Sequence, residues 1–153
     1  MQLFKHLLEE ILGSYVKKYF QRHPNVKLIV VVGSVGKTSV KSATATVLAE
    51  KFTIRHSRCN LNTTLSAPLE ILGVDGPKNA KSSLAWLKVF ADARASIHTP
   101  DAPDIIIQEC GIDRPGEMSI FTKYMRPDIA IITSVAPEHM EFFKTMDTVA
   151  HEE

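Results

Sequence analysis

An α/β fold, with a mostly parallel sheet and helices on both of its faces, is what these 153 residues predict. Three observations carry that expectation. Residues 28–32, 104–109 and 128–133 contain continuous apolar runs rich in Ile and Val. Such runs are typical of strands buried on both faces of a parallel sheet. Segments of helical periodicity separate them, as crossover connections require. Finally, residues 27–39 read KLIVVVGSVGKTS, which is strand, glycine loop and helix start in the order that cradles a nucleotide's phosphates. The class expected is the P-loop nucleotide-binding type, here truncated.

Taken in order, residues 2–21 place Leu3, Phe4, Leu7, Leu8, Ile11, Leu12, Tyr15, Val16, Tyr19 and Phe20 at helical spacing on one face. His23 and Pro24 stop that helix. It either packs on the domain's own sheet or receives a partner. Strand 28–32 comes next, then a helix over 37–50, a short strand at 52–56 and a polar loop at 57–63. The stretch 64–72 reads as a helix closed by Gly73. A turn-rich loop covers 74–80. Helix 82–97 carries Trp86, Val89 and Phe90, expected in the core. Strand 104–109, a loop at 111–116 and a short helix at 117–125 follow. Strand 128–133 leads into the loop SVAPEHMEFF, and a last helix begins near Thr145 with no stop signal before Glu153.

Composition narrows the function classes. A net charge of +1 gives no reason to expect nucleic acid or a membrane surface as partner. No apolar run approaches the ~18 residues of a membrane span. Charges interrupt the N-terminal MQLFKHLLEE, so it does not read as a signal peptide. Cys59 and Cys110 lack metal-site spacing and read as reduced thiols of a cytoplasmic protein.

The glycine loop carries the clearest chemistry. Gly33 and Gly36 let backbone N–H groups turn inward without a Cβ in the way. A helix opening at Lys37 aims its dipole and unpaired N–H groups at the same anion. Lys37 supplies a point charge, and the Thr38 hydroxyl is a ligand for Mg²⁺. Ser34, Val35 and Ser39 complete the phosphate-contacting stretch 33–39. The bound nucleotide is ATP or GTP. Val31 stands where the longer G-x-x-x-x-G-K-[ST] pattern has its first glycine, which leaves the shorter G-x-x-G-K-T-S.

Two further residues fall at strand ends, where ligands of open α/β sheets bind. Glu109 closes IIIQE, and a carboxylate there is costly to bury unless it is salt-bridged or metal-bound. His139 follows the strand at 128–133 among Pro137, Glu138 and Glu141. It is either a solvated loop histidine or a metal partner of Glu109.

GSVGKTSVK, NLNTTLSAPL, ECGIDRPGEM and RPDIAIITSVAPEHMEFF occur in that order and resemble the central ATP-binding domain of the Mur ligase family. The likeness covers about residues 27–153. The nearest branch joins D-alanyl-D-alanine, a dipeptide amine, to a UDP-muramoyl peptide. The resemblance implies that Gly33 to Thr38 hold the ATP phosphates, and that Glu109 and His139 ligate Mg²⁺ beside Thr38. It makes Lys37, Glu109 and His139 the catalytic set. It brings a nucleotide-sugar substrate to Asn60, Asn62 and Thr63. The implied reaction is amide formation through an acyl phosphate, in cytoplasmic peptidoglycan precursor synthesis. The amine is D-alanyl-D-alanine or another amino acid or dipeptide.

Departures accompany the likeness. Val32, Val35 and Ser134 replace residues common in the family, and no lysine follows Lys144 to supply the carbamylated lysine of many members. The division expected is an N-terminal amphipathic helix over 1–24 and a partial central domain over 25–153. Such a fragment is expected to lack ligase turnover by itself. The alternatives are a ligase of the folylpolyglutamate-synthase type and a non-catalytic P-loop nucleotide-binding module. A switch protein would carry a base-reading N-K-x-D, which this sequence lacks.

Overall fold

The computed structural model describes residues 2–57, 62–80 and 82–153. Among them the strands are β1 (Lys27–Val32), β2 (Ile54–His56), β3 (Ile105–Glu109) and β4 (Ile129–Ile132). They form one sheet in the order β2-β3-β1-β4, and every pairing is parallel. The helices are α1 (Gln2–Arg22), α2 (Lys37–Leu48), α3 (Ser66–Leu72), α4 (Ser83–Ser96), α5 (Glu117–Thr122), α6 (Met140–Phe143) and α7 (Met146–Glu152). The predicted α/β class is the one observed.

Side chains alternate across the sheet, as a period of two requires. Leu28, Val30, Val32 and Ile106 meet Val16 and Tyr19 of α1, Ile71 of α3 and Ala93 of α4. On the other face, Ile29, Val31 and Ile107 meet Ala45 of α2. Helices therefore cover both faces of the two central strands. Strand entry is tied down by carboxylates. Asp128 accepts from Leu28 N at 2.9 Å and from Lys27 Nζ at 2.9 Å. Asp104 accepts from Thr53 N and Oγ1, both at 2.8 Å. These bonds hold both acids below their ordinary pKa.

Of the two readings of the first helix, the structure has α1 packed on this chain's own core, against α3 and α4. Leu12, Val16 and Tyr19 are fully buried. Leu3, Phe4 and Leu7 are exposed, because the first turns of α1 run past the helices that cover its later ones. Trp86 is buried as expected, and its indole N–H donates to Ala80 O at 2.9 Å.

Several boundaries differ from expectation. The second strand begins at Ile54, and Phe52 is exposed. Helix α3 begins at Ser66, because the Thr63 and Ser66 hydroxyls bond each other at 2.8 Å in the preceding turn. Within the expected loop 134–143 lies the short helix α6, held by buried Phe143 against Ile112 and Val149. Strand β4 reads as doubly buried, yet Ile129 and Ile132 are more than half exposed. It stands at the sheet edge with β1 as its partner.

Leu12→Ala is expected to lower unfolding stability by about 2–5 kcal/mol, the range for emptying a fully buried leucine site. Leu84→Ala, at an exposed position of α4, is expected to change it by less than about 0.5 kcal/mol. Urea unfolding followed by Trp86 fluorescence compares the two.

Candidate functional site

The chain leaves β1 through Gly33 and enters α2 after Gly36. Both glycines have left-handed φ, +115° and +87°. At Gly33 a Cβ would lie 2.4 Å from Thr133 Oγ1, so only glycine fits. At Gly36 a Cβ would meet nothing within 4 Å, which leaves open space on the phosphate side. No side chain caps the start of α2, so its first N–H groups face outward with the helix dipole behind them.

The loop is braced by the segment after β4. Ser34 N donates to Ser134 O at 2.8 Å, and Ala136 N donates to Ser34 Oγ at 2.9 Å. Lys37 Nζ folds back onto the carbonyl of Gly33. An anion from the chain itself also lies in the loop: Gly33 N donates to Glu153 Oε2 at 2.8 Å. Burial raises the pKa of Glu153, while the Gly33 N–H and the Lys37 charge pull it down. Desolvation outweighs those two, and Glu138 beside it raises the pKa further, so the loop's N–H and the Lys37 charge offset only part of the cost of burying this carboxyl.

Behind the loop, Thr38 Oγ1 donates to Glu109 at 3.0 Å to Oε2 and 3.2 Å to Oε1. Lys41, one helical turn further along α2, places Nζ 3.1 Å from Glu109 Oε2. Both side chains of that ion pair are almost wholly buried, at 0% and 1% exposure. The internal salt bridge left open for Glu109 by its position is therefore formed. Asn62 Nδ2 approaches Glu109 Oε1 at 3.4 Å, and Asn62 O accepts from Gly111 N at 2.9 Å. Thr38, Glu109 and Asn62 are thus brought together.

His139 stands across a cleft of about 160 Å³ that Lys37, Asn62, Thr63, Asp113 and Glu138 also line. Lys5 of α1 reaches the same cleft. The His139 ring approaches Asp113 at 3.4 Å rather than Glu109. Its φ of 47° is left-handed, and its carbonyl accepts from Phe142 N at 2.8 Å and Phe143 N at 3.1 Å as α6 begins. Among the described residues, no three His, Cys, Asp or Glu side chains gather tightly enough to hold an ion by themselves. The donors nearest the phosphate loop, the Thr38 hydroxyl and the Glu109 carboxylate, are both oxygens, which suits a hard cation such as Mg²⁺. Asn60 and Cys59 lie outside the described residues. Cys110 is buried, and burial pushes its thiol far up, away from nucleophilic use.

Sequence reasoning missed Lys41, Glu153 and Glu70. Lys41 had a legible signal, since it sits three residues after Thr38 on the same helical face. Glu70 of α3 is buried beside this network and accepts from Ser57 N. Desolvation raises its pKa to about 7, against smaller lowering effects from the Ser57 N–H and Lys41.

The raised pKa fixes a sign. Glu70 contributes stability in full below its unfolded value of about 4.5, and that contribution is lost as pH rises through about 7. Glu70→Gln is expected to flatten this part of the stability curve between about pH 5 and 8. Urea midpoints measured across that range test it; an unchanged slope would contradict the assignment.

Comparison with known proteins places this fold in a family. The Mur ligase middle domain family matches residues 31–153. The UDP-N-acetylmuramoyl-tripeptide–D-alanyl-D-alanine ligase of Borreliella burgdorferi is 28% identical over 126 residues, 82% of this chain and 22% of that protein. The ligase of the same name from Rickettsia prowazekii is 28% identical over 132 residues, 86% of this chain and 24% of that protein. A crystal structure of MurF from Acinetobacter baumannii shares the fold, with a TM-score of 0.65 and 21% identity over 92% of this chain and 26% of that one. The chain spans about a quarter of the length of these relatives. No helix among the described residues is long and apolar enough to cross a membrane. A glycine loop at the end of the central strand, a carboxylate at the end of its neighbour and a family match over most of the sequence make this chain a member of the Mur ligase family, carrying its middle domain.

Proposed function

We propose that this chain forms the nucleotide-binding middle of an ATP-dependent carboxylate–amine ligase of peptidoglycan precursor synthesis, acting in the cytoplasm. The observation that carries the reading is the uncapped start of α2, with Lys37 and Thr38 at its head and Glu109 3.0 Å from the Thr38 hydroxyl. The N–H groups of residues 33–39 bind the ATP phosphates, and Lys37 swings from the Gly33 carbonyl to the outer phosphates. Thr38 and Glu109, with His139 across the cleft, are the residues that would hold Mg²⁺. The ion supplies charge neutralisation between the phosphates and the substrate carboxylate.

The carboxylate is that of a nucleotide-sugar peptide entering past Asn60, Asn62 and Thr63. It attacks the γ-phosphorus and ADP leaves. The amine, D-alanyl-D-alanine or another amino acid or dipeptide, attacks the resulting acyl carbon, loses a proton and expels phosphate. The residues named bind, orient and screen charge; they form no covalent intermediate. The relatives described above are D-alanyl-D-alanine ligases, which favours the dipeptide amine over a folate-type substrate.

Calorimetric titration with Mg-ATP is expected to give binding that Lys37→Ala weakens at least about tenfold, the scale of losing one charge-assisted phosphate contact. Equal heats for both proteins would overturn the nucleotide assignment. Phosphate release with UDP-N-acetylmuramoyl-tripeptide and D-alanyl-D-alanine tests the substrates. It should require a polypeptide that supplies the rest of the relatives' length, and robust ligation by residues 1–153 alone would contradict that reading.

A further inference from the structure

Lys41 is a fully buried lysine in the same helix as the phosphate-binding Lys37, and the chemistry above makes no use of it. The two lysines lie one turn apart and have opposite fates. Lys37 turns to the loop and its carbonyls. Lys41 turns inward to the carboxylate that ends β3.

We propose that Lys41 is the positioning residue of the metal site, fixing Glu109 from its buried side so that one defined carboxylate oxygen is offered to the ion. This rests on the nucleotide and Mg²⁺ reading above. The two oxygens of Glu109 are not equivalent. Oε2 lies 3.1 Å from Lys41 Nζ and 3.0 Å from Thr38 Oγ1. Oε1 has longer bonds, 3.2 Å to Thr38 Oγ1 and 3.4 Å to Asn62 Nδ2. Asn62 lines the cleft beside Lys37. The tightly held oxygen is therefore the one on the Lys41 side, and the loosely held one is on the side of Asn62, a cleft residue.

Physical reasons favour this use of a buried lysine. Mg²⁺ demands near-ideal octahedral geometry and tolerates a wandering ligand poorly. A carboxylate at 1% exposure without a counter-charge is costly, and Lys41 provides that charge from within the core. Because Lys41 and Thr38 share a face of α2, the same helix sets the phosphate cradle and orients Glu109. Partners that orient a metal's ligands matter nearly as much as the ligands themselves.

The test separates metal-free from metal-dependent nucleotide binding. ATP is titrated calorimetrically into wild type, Lys41→Met and Lys41→Arg, each in EDTA and in excess Mg²⁺. Circular dichroism and urea midpoints check the fold. Lys41→Met is expected to bind metal-free ATP like wild type while losing about ten- to hundredfold of the affinity gained from Mg²⁺. Lys41→Arg keeps the charge and is expected to recover part of that gain; it also carries the test if Lys41→Met does not fold. A purely structural lysine would lower both affinities together, and that result overturns the proposal. So does an unchanged or larger Mg²⁺ gain in the folded variants. A wild type that binds no Mg-ATP would overturn the nucleotide reading as well, so the two failures are distinct.

Discussion

The ion pair between Lys41 and Glu109 joins the two halves on which the rest of the site depends. Lys41 belongs to the helix that opens under the glycine loop, and Glu109 ends the strand beside β1. Taking both charges out of water costs several kcal/mol each, so such a pair persists only with good geometry and further hydrogen bonds. Thr38 and Asn62 supply those bonds. The result is a carboxylate fixed beyond the carboxyl end of a parallel sheet, where sheets of this class bind ligands. Its position follows from sheet order: β1 sits between β3 and β4, so the loop after β1 has Glu109 on one side and the segment after β4 on the other.

The glycine loop after β1 is partly filled by side chains of the protein itself. Glu153 occupies the Gly33 N–H, and Lys37 lies back on the Gly33 carbonyl. Neighbouring Glu152 accepts from Gly116 N and Met118 N, both at 2.9 Å, and so caps α5. The end of α7 thus ties the glycine loop to the start of α5 through consecutive glutamates. The loop's shape is set by the left-handed glycines, whose conformation other residues adopt only with strain.

What was legible in the sequence followed the range of the interaction. Strand β1, the glycine loop and the start of α2 come from local chemistry, apolar β-formers broken by glycine, and the structure has them where the sequence indicated. Glu109 was legible as a problem, a carboxylate ending a buried strand. Its solution was not, since Lys41 lies 68 positions away and nothing local pairs them. Glu153 on Gly33 is a contact over 120 positions. Strand β4 was misjudged on burial because an apolar run reports composition, not whether a neighbour covers it. Helix α6 escaped notice because a single turn has no periodicity to detect, and its anchor is the distant contact of Phe143 with Ile112.

The most direct test of the account is the amide spectrum of the isotope-labelled chain titrated with Mg²⁺ and a non-hydrolysable ATP analogue. The account predicts that Gly33, Gly36, Lys37 and Thr38 shift first and furthest, with Glu153 shifting alongside as its carboxylate leaves Gly33. Residues at the opposite end of the sheet, such as Val26 and Thr122, should stay in place. Shifts concentrated at that opposite end, with Gly36 and Thr38 unmoved, would contradict the central claim that the loop after β1 is the nucleotide site.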